Sequence, residues 1–156
     1  MGEPTDPLRS ADPHNLARFV EAQAPDYDRA LRELRSGKKE SHWMWYIFPQ
    51  FEGLGHSSTS RRYSIKSVAE ARAYLSHPVL GPRLRECAAV VHGIAGRSAL
   101  EIFGSPDDLK LHSSVTLFAQ LSNDVVFPAL LEKYFENQAD SVTLRLLSAA
   151  QVRGNL

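Results

Sequence analysis

The sequence predicts an all-α domain, on three observations. Helix-capping signals recur along the chain, each followed by apolar residues at helical spacing, about eight times over. No series of alternating apolar and polar residues marks a strand. No repeat period marks a solenoid. Together these predict one compact domain of about eight short helices over residues 12–150, in a non-bundle topology, with tails at 1–11 and 151–156.

Residues 1–11 hold two prolines and no apolar cluster, which predicts disorder. Structure is expected to begin at Asp12-Pro13, an N-cap followed by a residue whose missing N–H costs a helix nothing. Leu16, Phe19, Val20 and Gln23 follow at helical spacing. Pro25 interrupts, and Tyr27, Ala30, Leu31 and Leu34 make a second stripe that stops at Gly37. The stretch Ser41 to Phe51, SHWMWYIFPQF, holds both tryptophans of the chain. It fits neither the strand nor the helix period and ends at Pro49, so it reads as a short helix or turn at the centre of the domain. Residues 53–60 hold two glycines and four hydroxyl residues and read as loop. Arg61 to Ile65 fits an extended piece or a helical turn equally.

Ser67-Val68-Ala69-Glu70 has the form of a capping box. Its helix packs Val68, Ala71, Tyr74 and Leu75 and ends near His77-Pro78. Leu80, Leu84, Cys87, Val90 and Val91 stripe the next helix, up to Gly93. Ser98 to Glu101 is a second capping box, opening a short helix that stops at Gly104. Ser105-Pro106-Asp107-Asp108 reads as the clearest start in the chain, with Ser105 as cap and two acids at the positive end of the helix dipole. Leu109, Ser113, Thr116, Leu117 and Leu121 are expected on one face of that helix. Phe127, Leu130, Leu131, Tyr134 and Phe135 stripe another, and Asp140 caps a last one through Leu144 and Leu147.

The composition excludes several classes. Eighteen basic residues balance eighteen acidic ones, which disfavours duplex nucleic-acid binding by bulk charge. A single cysteine, Cys87, excludes an internal disulfide and suits a cytoplasmic chain. It falls on an apolar stripe, as an inert core thiol would. No membrane-spanning run is present, a monomer is favoured, and no cofactor is expected. Phosphate loops, nucleophile elbows and zinc motifs are missing, and the six histidines are scattered, so no metal site is expected.

Two clusters are left that could carry chemistry. The first is His42, Trp43, Trp45 and Gln50, flanked by Lys38 and Lys39. Aromatic faces with a few polar groups suit a pocket for a planar ligand, and equally suit a core. The second is Lys110, Ser113, Ser114 and Thr116 behind Asp107. A lysine and hydroxyls on one helix stripe suit a phosphate or carboxylate; the plain alternative is a solvated Asp–Lys pair. The hydroxyls of residues 57–60 before Arg61 and Arg62 are a third, weaker candidate for phosphate.

These same stretches carry a resemblance. Gly37-Lys38-Lys39, His42-Trp43-Met44-Trp45, Ile47-Phe48-Pro49-Gln50 and Gly53-Leu54-Gly55 resemble the bacterial family called domain of unknown function 1810. So do Ala71 to Leu75, His77-Pro78, Leu80 to Leu84, and Phe103-Gly104 with Asp107, Lys110, Ser113-Ser114 and Thr116 to Phe118. Val115 stands where the family's pattern has methionine, an apolar exchange. The resemblance implies a mostly helical single domain and no established activity. Some members carry the label calpastatin, although nothing in this chain resembles a protease inhibitor. The family's motifs hold polar residues that packing alone does not require: His42, Gln50, Asp107, Lys110, Ser113 and Ser114. The resulting expectation is one pocket for a small, planar, anionic, nucleotide-like ligand. Trp43, Trp45, Gln50, Lys110, Ser113 and Ser114 would bind it, and His42 and Asp107 would be the acid–base candidates of a possible enzyme. The rival expectation is a protein-interaction module without catalysis.

Overall fold

The computed structural model describes residues 12–153. The expected N-terminal tail, 1–11, lies outside them. Ten helices are present among the described residues, seven of them seven residues or longer. In chain order they are α1 (Ala17–Gln23), α2 (Tyr27–Arg35), α3 (Met44–Ile47), α4 (Ser58–Tyr63), α5 (Val68–Ser76), α6 (Leu80–Gly93), α7 (Ala99–Phe103), α8 (Asp107–Leu121), α9 (Val126–Tyr134) and α10 (Ser141–Val152). The only β pairing among the described residues is one parallel bridge, Phe51 to Ile65, closed by Ile65 N–H to Gln50 O and Glu52 N–H to Ile65 O, both 2.8 Å. The class is all-α, as the sequence predicts.

α8 is the axis of the fold. It packs against α5, α7, α9 and α10. Leu111 and the run Ser113 to Phe118 are buried, so it has almost no solvated face past its first turn. A helix apolar on most sides is a core helix. Thr116 is among the buried residues; its hydroxyl donates to His112 O at 2.8 Å and accepts from Asp140 N–H at 2.9 Å. That second bond seats the start of α10 against α8. Asp140 then caps α10, accepting from Thr143 N–H at 3.0 Å, as expected.

Several starts and faces differ from the sequence reading. α1 begins at Ala17 and not at Pro13, yet Asp12 still supplies the cap: its two carboxylate oxygens accept from Leu16 N–H and Ala17 N–H at 2.6 and 2.9 Å. Ser67 caps α5, but Glu70 does not reach back to it. The Glu70 carboxylate is drawn instead to Lys66 N–H and Arg18. Ser105 is no cap; α8 starts after Pro106 with no side-chain cap, and its acids occupy the first turn. Leu109, expected on one face with Ser113, Thr116 and Leu117, is exposed while those three are buried; in α10 Thr143, Leu147 and Ala150 form the buried stripe and Leu144 is exposed. α10 also runs to Val152, past the expected end at 150.

Two glycines are required where they stand. Gly37, at φ 79°, ends α2 in the left-handed region, with Lys38 N–H returning to Glu33 O at 3.1 Å. At Gly81 a Cβ would lie 2.2 Å from Leu75 O, so α6 meets the end of α5 backbone to backbone.

Candidate functional site

The segment after α2 is ordered by one carboxylate. Glu33, in α2 and 8% exposed, accepts from Glu40 N–H, Ser41 N–H and Trp43 Nε1–H at 2.8–2.9 Å, and from the Ser41 hydroxyl at 2.5 Å. Burial alone would raise its pKa. The bonds from Ser41, Glu40 and Trp43 outweigh burial and hold it down at about 2. Lys39 N–H binds Ile102 O at 2.7 Å and joins this segment to α7. Trp43 is thereby fixed in the core at 0% exposure. Its indole N–H belongs to Glu33, so it offers no face to a ligand, and the expectation of Trp43 as a ligand wall does not hold geometrically.

The same anchoring aims Lys39 at the start of α8. Its ammonium lies 2.8 Å from Asp107 Oδ2, 2.5 Å from Ser41 O and 5.0 Å from the Trp43 ring centroid, with the side chain 6% exposed. Asp107 Oδ1 lies 3.5 Å from Lys110 Nζ, one helical turn on. Lys110 in turn sits 5.0 Å above the half-buried Trp45 ring. Two ammonium groups therefore share one carboxylate, leaving one positive charge beside an aromatic face. Asp107 stands in the first turn of α8, where the helix dipole favours an acid.

Gln50 closes the other side. Its backbone is held by the bridge to Ile65, and its Nε2 donates to Ser113 Oγ at 2.6 Å. The Ser113 hydroxyl has Lys110 O at 3.1 Å and Leu109 O at 3.2 Å as its own acceptors. Beside this pair lies a cleft of about 330 Å³, walled by Gln50, Lys110 and Ser113, with Leu109, Asp140 and Val142 around it. That volume is in the range of small-molecule sites. A second crevice between Trp45 and Gln50, about 10 Å³, is too small for a ligand.

Thus Trp45, Gln50, Asp107, Lys110 and Ser113 come together, although more than fifty positions separate the two stretches. The other three stand apart. Ser114 is fully buried, with no hydrogen-bond partner for its hydroxyl among the described residues. Trp43 is core. His42 is exposed, its imidazole makes no hydrogen bond among the described residues, and it does not wall the cleft. Sequence reasoning noted Lys39 only as a flank and missed Glu33 altogether; neither carries a motif that announces its partner. No group of three metal-ligating side chains occurs among the described residues.

No helix among the described residues is long and apolar enough to cross a membrane. Nothing among curated proteins matches the chain. A solved crystal structure, that of a conserved hypothetical protein from Mycobacterium tuberculosis, is 54% identical to it. The likeness covers 88% of this chain and 99% of that one, with a TM-score of 0.87. A family model described as "Protein of unknown function (DUF1810)" matches residues 13–147, which is most of the chain, so the protein belongs to that family of unknown function.

Proposed function

We propose that the cleft beside Lys110 binds a small planar anion of nucleotide type. One observation carries the reading: Lys39 and Lys110 share the single carboxylate of Asp107, so Lys110, over Trp45 at the start of a long helix, is only partly neutralised. Asp140, the acid on the same cleft, is engaged in capping at Thr143. Gln50 and Ser113 supply donors and acceptors on the same wall. An anion would take the Lys110 ammonium, and a ring would lie against the apolar lip of Leu109 and Val142. Support for catalysis is thinner. Asp107 is held by two ammonium groups, and His42 stands off the cleft wall.

A thermal-shift panel of nucleoside monophosphates tests the reading. A ligand at 100 times its dissociation constant stabilises by about 2.7 kcal/mol. Trp45 is the more exposed of the two tryptophans, so binding should also quench fluorescence, and Trp45→Phe should remove the quench. Lys110→Met should abolish the shift while leaving the far-ultraviolet dichroism unchanged. A panel without any shift, or a shift that Lys110→Met retains, overturns the proposal. The second reading, a protein-interaction surface, draws on Leu109, 62% exposed at the edge of the same cleft. A partner captured by the wild type and lost in Leu109→Asp would favour it.

A further inference from the structure

A second cleft, of about 460 Å³, lies between the turn that leads into α1 and the C-terminal end of α4. Its walls are His14, Asn15, Arg18, Arg61, Arg62 and Lys66. Four of the six are permanent cations and none is an acid, in a chain whose overall charge is zero. Carbonyl oxygens could have offset that charge, but they are already engaged. Arg18 takes Arg62 O at 2.7 Å, His14 O at 2.8 Å, and Asn15 O and Ser64 O at 2.9 Å. Lys66 takes Arg61 O and the Ser64 hydroxyl. Asn15, at φ 51°, stands in the left-handed region, which asparagine adopts more readily than most residues with a Cβ.

Charge is settled below the cleft and not at its mouth. Arg18 is neutralised by buried Glu70 at 2.7 Å, and Lys66 faces Glu52 at 3.4 Å. Arg61 and Arg62 are exposed and make no ion pair among the described residues; the Arg62 guanidinium lies 5.6 Å from the Tyr63 ring centroid. Among the described residues the mouth thus presents two guanidinium groups without an ion pair and the side-chain amide of Asn15, which makes no hydrogen bond there either. Guanidinium forks match the paired oxygens of phosphate, and two of them on one rim bind it better than a point charge would.

We propose that this cleft is a separate site for a phosphate group, either free or as a soluble phosphomonoester, held by Arg61 and Arg62 with Asn15. The site is distinct from the Lys110 cleft, since no residue walls both. The experiment is isothermal titration of the full chain at constant ionic strength, with inorganic phosphate in one arm and glycerol phosphate in the other. Saturable binding is expected in at least one arm, and the tighter arm identifies the source. Arg61→Gln should weaken it about tenfold, as loss of one charge-assisted contact does, and Arg61→Gln with Arg62→Gln further still. The Arg61 side chain makes no hydrogen bond among the described residues, so the single variant stays readable if the double one is destabilised. Both arms are run in the Lys110→Met background, so that phosphate taken by the first cleft does not contribute to the heat, which separates the two clefts. Absence of saturable binding in both arms, or binding that the arginine variants retain, overturns the proposal.

Discussion

Glu33 is a single carboxylate serving four donors, and acid should undo that arrangement. Its folded pKa, about 2, is depressed from the ordinary 4.5. A depressed carboxyl adds stability that is fully present above pH ~4.5 and is lost as the pH falls towards 2. The difference corresponds to stability on the order of 3 kcal/mol. Urea melts across that window should show the fall in the wild type and a much flatter profile in Glu33→Gln, which should also be weaker at pH 7. Identical profiles would mean that Glu33 does not order the aromatic stretch. Cys87 makes a complementary case. Burial pushes its thiol up to about 12, and the side chain is fully enclosed. A disulfide reagent at pH 8 should leave the native protein unlabelled and react once it is unfolded. Fast native labelling would refute this.

At the scale of elements, caps decide helix starts. In α7 the Ser98 hydroxyl accepts from Glu101 N–H at 3.1 Å, and the Glu101 carboxylate accepts from Ser98 N–H at 2.8 Å. Ser98→Ala should therefore cost about 1 kcal/mol in a denaturant melt. Ser105→Ala should cost close to nothing, because Ser105 caps no helix. Equal costs for the two would contradict the cap assignment. The Ser98 box was legible because both partners lie within one turn. Glu70 misled for the opposite reason: its spacing fits a capping box, but a buried arginine from α1 competes for it and wins. α8 shows the same limit. The spacing of its apolar residues suggests one face, whereas four neighbouring helices enclose nearly all of it past the first turn.

For the molecule as a whole, Arg18 is the joint that matters most. Its five N–H groups find Arg62 O, His14 O, Asn15 O, Ser64 O and the Glu70 carboxylate, which ties α1 to the end of α4 and the start of α5. Arg18→Met would strand a buried carboxylate and four carbonyls, and should destabilise by about 3–5 kcal/mol. Adding Glu70→Met should recover part of that loss; strictly additive losses would mean the pair is not coupled.

The sequence by itself determined the class, most of the helices and much of the core. Those properties rest on interactions within a turn or two, and short spacing records them. Tyr27, Ala30, Leu31 and Leu34 were legible as a buried stripe because all four repeat on one face of one helix. The sequence also marked the two stretches that meet at the Lys110 cleft. Only the tertiary structure decided which of their side chains converge. Lys39 reaches Asp107 across 68 positions, and no spacing encodes that. Trp43 and Trp45 stand two residues apart in a single-turn segment; Glu33 claimed the first indole for the core, and the second lies half-buried beneath the Lys110 ammonium. His42, in the same motif, was left in solvent. Local pattern sets what each segment becomes, whereas long-range packing and the competition for buried polar partners set what each side chain faces.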